Sequence, residues 1–201
     1  MTTGQPIKIE TRADKGKMIT GYAAVFYRAA NPGTQYELMS DMYERIDRSA
    51  FNRALSEKDD ARALFNHDPN FLLGRASAGT LRLSVDDIGL RYENDLPDTQ
   101  VGRDLATSIE RGDLTGSSFG FRVKSQTWTE EEGRDIRTIN EVELFDVGPV
   151  TYPAYDATTT GLRSEELAEV RSKRDEWKKA QKPAPTLLSQ AEAKQRIAKL
   201  W

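Results

Sequence analysis

The sequence predicts an α+β fold built mainly from antiparallel strands, with a few helices and a helical tail. Three observations predict it. Two long segments alternate apolar and polar residues on either side of a turn, as hairpins do. Two shorter segments carry apolar residues at helical spacing. Beyond Gly161 the composition shifts to charged helix formers. The chain has 201 residues, 37% hydrophobic and 30% charged, enough for one main domain and an appendage. The expected division is a domain over residues 1–161 and a charged tail over 162–201.

The elements follow in order. "MITGYAAVFY" is a β-prone run starting near Met18. "DRSAFNRALSEK" predicts a helix capped by Asp47 or Ser49, with Phe51, Ala54 and Leu55 on one face. "GTLRLSVDDIGLRYENDLP" predicts a hairpin: Leu81, Leu83 and Val85 alternate, Asp86 to Gly89 turn, and Leu90 and Tyr92 resume. "DTQVGRDLATSIERGD" predicts a helix capped by Asp98 or Thr99 and closed by Gly112, with Val101, Leu105 and Ile109 in one stripe. "GFRVKSQTWTEEEGRDIRTINEVELFDV" predicts a second hairpin turning at residues 131–134. In the tail, "SEELAEVRSKRDEWKKA" is a charged helix with Ser164 as cap and a narrow stripe of Leu167, Val170 and Trp177. "KPAP" at 182–185 is a stiff break. Ser189 and Glu192 then form a capping-box pattern before Ile197, Leu200 and Trp201.

Composition excludes several chemistries. There is no cysteine, so disulfides, thiolate metal sites and a cysteine nucleophile are impossible, and a reducing compartment is expected. With one histidine, multi-histidine zinc sites are excluded; no metal or other cofactor is expected. No run approaches the about 20 apolar residues of a membrane span, and the first residues lack the apolar region of a secretory signal. The tail holds 10 Lys/Arg against 6 Asp/Glu, leaving 19 against 26 in the body. An acidic body argues against binding a phosphate backbone.

Candidate chemistry centres on "GDLTGSSFGFRV". On strand alternation, Ser117, Phe119, Phe121 and Val123 share an apolar face. Ser118, Gly120, Arg122 and Lys124 share the other. Ser117 is expected to pack in the core. Ser118 is expected to be exposed beside Gly120, with room for a substrate backbone. A plain strand with one wet face fits the same pattern. A nucleophilic serine needs a base, and His67, in "LFNHDPNFLLGR", is the one imidazole. Read alone, it is an exposed loop histidine. In "NEVELFDVGPVTYPAY", Val142, Leu144, Asp146, Gly148 and Val150 share a phase, which places Asp146 in an apolar row. Orienting a histidine would satisfy such a carboxylate; so would a strand that ends or bulges before Gly148-Pro149, leaving Asp146 to face water or cap a turn. Glu141 and Glu143 are weaker candidates for the acid.

Taken together, these stretches resemble the prohead proteases of tailed bacteriophages. "GYAAVF" and "YERIDRSAFNRAL" resemble the family's opening. The run from "FNHDPNFLLGR" to "LTGSSFGFRV" resembles its centre, and "LFDVGPVTYPAY" its closing motif, so the likeness covers about Met18 to Tyr155 and leaves out the tail. The resemblance implies a β-barrel with surrounding helices, like herpesvirus assemblin. It implies Ser118 as nucleophile, His67 as base and Asp146 as the acid, a position more often glutamate in the family. Backbone N–H groups near Ser118, Arg75 or Arg122 are candidates for an oxyanion hole. The implied function is serine endopeptidase. The implied substrates are the major capsid protein and scaffold delta segments, with self-processing, inside the assembling procapsid in the host cytoplasm. A homodimer is left open, and the tail is expected to serve docking or self-processing. The alternative is a non-catalytic assembly module on the same fold. "GSSFG" also has the bare G-x-S-x-G spacing of other hydrolases, but a helix precedes it and a strand follows, the reverse of a nucleophile elbow.

Overall fold

A computed structural model describes residues 6–13, 16–31, 34–153 and 162–181. The chain divides into two compact units, Met1–Thr158 and Thr159–Trp201. The first contains strands β1 (Lys8–Arg12), β2 (Gly16–Val25), β3 (Tyr36–Met39), β4 (Met42–Ile46), β5 (Arg62–Leu64), β6 (Leu72–Arg75), β7 (Leu81–Val85), β8 (Gly89–Asp95), β9 (Gly116–Glu131) and β10 (Arg134–Val150), with helices α1 (Asn52–Ser56) and α2 (Gln100–Arg111). The second contains α3 (Leu162–Gln181). Helix α3 begins two residues before Ser164, so that serine lies inside the helix rather than at its cap. The expected break at 182–185 and the capping box at Ser189 and Glu192 lie outside the described residues.

The α+β class holds, but the described strands do not close into the expected antiparallel barrel. They form two open sheets. One has the order β1-β2-β8-β7, and the other runs β3-β4-β10-β5-β6 with β9 also on β10. The cause is β10. Its whole length pairs antiparallel with β9. Its other edge is divided: residues 135–139 pair parallel with β4, and 146–147 pair parallel with β5. One long strand thus serves two short parallel ones, and the sheet ends at β3 and β6 rather than returning on itself.

Local chemistry explains the hairpins. Glu132 and Gly133 both have positive φ, 53° and 75°, the two-residue turn that matches strand twist. Between β7 and β8, Asp86 Oδ1 accepts from Ile88 N–H (2.7 Å) and Gly89 N–H (3.1 Å). Helix α2 is capped by Thr99, whose side chain accepts from Gly102 N–H, and ends at Gly112 with φ 81°. The helix expected from residue 47 is shorter. Asp47 instead closes a turn on Ser49 N–H at 2.8 Å, and the backbone bonds Asp47 N–H to Ile139 O and Val142 N–H to Ala50 O tie the segment to β10. Those bonds to β10 replace the first helical turn.

The core gathers around Phe51, which is fully buried. Its ring lies 6.2 Å from Phe26 and 5.5 Å, edge-on, from Phe119; Phe119 stacks on Phe121 at 4.4 Å. The two sheets meet where Ser117 Oγ hydrogen-bonds Tyr92 Oη at 2.9 Å. Gly21 of β2 permits this approach, because a Cβ there would lie 2.9 Å from both oxygens. Burial raises the Tyr92 phenol well above its ordinary range, only partly opposed by the Ser117 hydrogen bond.

Two outcomes are expected. Phe51→Ala should cost about 3–5 kcal/mol, the range for truncating a buried aromatic, read as a lowered denaturant midpoint with unchanged slope. Below about pH 10, Tyr92 is neutral in both the folded and unfolded chain. Above it the unfolded chain ionises first, so the folded state holds more protons and loses stability as pH rises. Tyr92→Phe should therefore lose stability less steeply than the wild type in alkaline denaturation scans.

Candidate active site

His67 sits in a tight turn after β5. Asn66 and His67 both have left-handed backbones, φ 56° and 57°, a costly conformation for side-chain-bearing residues that surrounding bonds must hold. Those bonds are present. Asn66 N–H donates to Pro149 O at 3.0 Å. The Asn66 amide accepts from Thr151 N–H at 2.8 Å and donates to Thr151 Oγ1 at 3.2 Å. Phe65 N–H donates to Phe71 O, closing the turn from its base, and the two rings lie 6.2 Å apart. Asparagine tolerates left-handed φ, and its amide can grip backbone. "FNHDPNF" is therefore a turn sequence that fixes the residue following Asn66.

The turn brings His67 to Asp146. His67 Nδ1 and Asp146 Oδ1 are 2.6 Å apart, with side-chain exposures of 37% and 12%. Donation from Nδ1 to the carboxylate leaves Nε2 free to accept a proton. Glu141 and Glu143 take no part in this pair. Glu141 meets Arg53 at 3.1 Å, and Glu143 meets Lys124 at 3.0 Å and Arg122 at 3.2 Å. The Lys124 hydrogen bond holds the Glu143 carboxyl below its usual range.

Asp146 reaches this position through a β-bulge. The β9–β10 register shifts between Leu144 and Asp146. Leu144 is opposite Phe121 and Val147 opposite Phe119, whereas Asp146 is opposite Gly120 and Gly148 opposite Ser118. Cross-strand partners share a face. Phe145 is the extra residue, 40% exposed, with the Arg122 guanidinium 5.3 Å from its ring centre. The expectation that Asp146 shares a face with Leu144 is thus corrected: the bulge moves Asp146 to the face of Ser118 and Gly120.

Two further corrections follow. The space beside Gly120 is not open for a substrate backbone. A Cβ there would lie 2.1 Å from Asp146 Oδ2, so the absent side chain makes room for the carboxylate. Ser118 is on the expected face, opposite to that of Ser117, but it is buried, at 7% exposure. It lies opposite Gly148, whose missing Cβ is replaced by the backbone of Leu64; a Cβ would lie 2.0 Å from Leu64 O. Among the described residues, Ser118 has no hydrogen bond to His67. The structure therefore joins His67 to Asp146 and places Ser118 two residues along the ladder from Gly120 on the same face.

Arg75 and Arg122 are both engaged. Arg75 forms a close ion pair with Asp60, whose carboxyl is held far below its ordinary value by that bond. Arg122 bonds Glu143. The residues that sequence reasoning missed are Asn66, Gly148 and Thr151. The adjacency of Asn66 to His67 was the available signal for the first. Nothing in the sequence paired residue 66 with 151. Among the described residues, no cluster of His, Cys, Asp and Glu has the arrangement to hold a metal ion, and no helix is long and apolar enough to cross a membrane.

Known proteins resemble this chain as follows. The sequence model of the caudovirus prohead serine protease family matches residues 5–173, a span that runs beyond Gly161 into α3. No curated protein matches the chain. Among solved structures, the bacteriophage T4 capsid assembly protease, gp21, is similar at 16% identity, with 74% of this chain and 94% of that chain covered and a TM-score of 0.44.

Because this is the only histidine in the chain, its ring nitrogens give unambiguous NMR signals. In neutral protein the ¹⁵N shifts should report the Nδ1–H tautomer. Gly120→Ala should weaken that bias by pushing the Asp146 carboxylate aside, with the fold otherwise retained by circular dichroism.

Proposed function

The chain belongs to the caudovirus prohead serine protease family, and from that premise we propose that it cleaves peptide bonds by acyl transfer through Ser118, His67 and Asp146. The observation that carries the assignment is the His67–Asp146 contact at 2.6 Å, formed by residues 79 apart in sequence on the face that also bears Ser118. His67 Nε2 accepts the Ser118 hydroxyl proton as the oxygen attacks the substrate carbonyl. The imidazolium then gives that proton to the leaving amine, which frees the acyl-enzyme. Water repeats the sequence and releases the acid. Asp146 holds the ring and stabilises the imidazolium throughout.

The substrates that this role implies are the delta or scaffold segments of capsid proteins within the procapsid, and the chain itself. Because Ser118 is buried, it must be uncovered before it can attack a substrate. The same burial favours the second reading, a non-catalytic assembly module that retains the family's site residues.

One co-expression experiment separates the two. The chain produced with its capsid or scaffold partner should yield specific fragments. Ser118→Ala should abolish them, and Asp146→Asn should slow them on the order of 10⁴-fold. Ser117→Ala should leave cleavage detectable. Fragments that persist in Ser118→Ala and vanish in Ser117→Ala would overturn the nucleophile; no fragments from the wild type would favour the assembly module.

A further inference from the structure

Large apolar side chains on the surface are concentrated around the candidate site. The exposed large hydrophobic residues among those described are Phe71, Leu72, Val85, Phe145 and Tyr152. Phe71 and Leu72 follow the His67 turn, Phe145 precedes Asp146, and Tyr152 follows the Thr151 that anchors Asn66. Only Val85, in β7, is remote in sequence from all of these segments. Exposed apolar groups that gather at one place mark a binding surface, whereas scattered ones do not.

Of these, Phe71 lines a cleft of about 520 Å³ between the His67 turn and the N-terminal half of α2. Phe65 and Phe71 form one wall, Val101 and Leu105 the other, with Asn70 and Asp104 among its polar groups. Its size and mostly apolar lining are those of a ligand site with a few orienting polar atoms. The two aromatic residues of the wall are also the ones whose backbone bond closes the turn that carries the base. A group held in the cleft therefore packs directly against the element that positions His67.

We propose that this cleft is a specificity subsite that takes a large aliphatic or aromatic side chain of the peptide substrate, at a fixed distance from the bond cut. The inference rests on the protease reading above and adds the substrate class. A flexible apolar side chain gains by leaving water there. A glycine or charged residue at that position gains nothing or is penalised.

The test uses the full chain and a peptide library derived from denatured proteins, with cleavage sites mapped by mass spectrometry. An apolar residue should be enriched at one position relative to the cut. For matched peptides bearing leucine or glycine there, the ratio of kcat/KM should be on the order of 10-fold or more. Val101→Trp, which fills the cleft, should bring that ratio towards one. Phe71→Ser, at an exposed position, should do so too if the tryptophan variant does not fold. Val85→Ser should leave the ratio at the wild-type value. Cleavage with no apolar enrichment, or a ratio unmoved in Phe71→Ser, would overturn the subsite while leaving the protease standing. Failure to cleave any peptide, together with an inert capsid substrate, would overturn the protease reading and the subsite with it.

Discussion

The carbonyl of Leu64 occupies the space where Gly148 would carry a Cβ, and the placement of the site follows from that contact. Strand β5 is only three residues long, yet it lies close enough to β10 to pair with it and then cross its end. The crossing delivers Asn66 to Pro149 and Thr151, and the next residue to Asp146. A Cβ at position 148 would collide with the Leu64 backbone and hold β5 away from β10. A glycine that looks like a strand-ending residue in "DVGPV" is thus what lets the His67 turn come close to Asp146.

The second constraint is the bulge at Phe145. Without the extra residue, Asp146 would project with Leu144 into the apolar interior, where an unpaired carboxylate is strongly disfavoured. With it, Leu144 and Val147 both face the core and Asp146 faces Gly120 and the His67 turn. Several polar contacts hold the distorted segment. Asp59 Oδ2 accepts from Leu144 N–H at 3.0 Å, and Arg53 bridges Asp59 to Val142 O. The bulge is therefore fixed from the α1–β5 connection, the same stretch of chain that leads to His67. His67 and Asp146 are thus positioned from the same stretch of chain.

Much of this was legible in the sequence where the forces are local. The turn at Glu132-Gly133, the Asp86 turn, and the Thr99 and Gly112 ends of α2 each depend on residues within a few positions. His67 stood out as a candidate because it is the one imidazole; alternation left Asp146 undecided, and the family resemblance brought it forward. What was not legible depends on distant chain. The parallel pairing of β10 with β4 and β5 leaves no mark in alternation, so a closed barrel was expected where two open sheets stand. The bulge breaks the period of two within "LFDV"; Gly148-Pro149 just beyond made a bulge one of two open readings, and alternation could not choose between them. Ser118 looked exposed because strand alternation shows which face a side chain takes and not what packs over that face. The face of each serine was read correctly; its burial could not be.

The central claim is that His67, held by Asp146, activates Ser118 and no other serine. The most direct measurement is the reaction of the folded chain with a small fluorophosphonate, followed by peptide mapping. A single phosphonylated site is expected, Ser118, with labelling lost in His67→Ala and slowed in Asp146→Asn. Labelling at Ser117, or labelling of Ser118 at the same rate without His67, would contradict it.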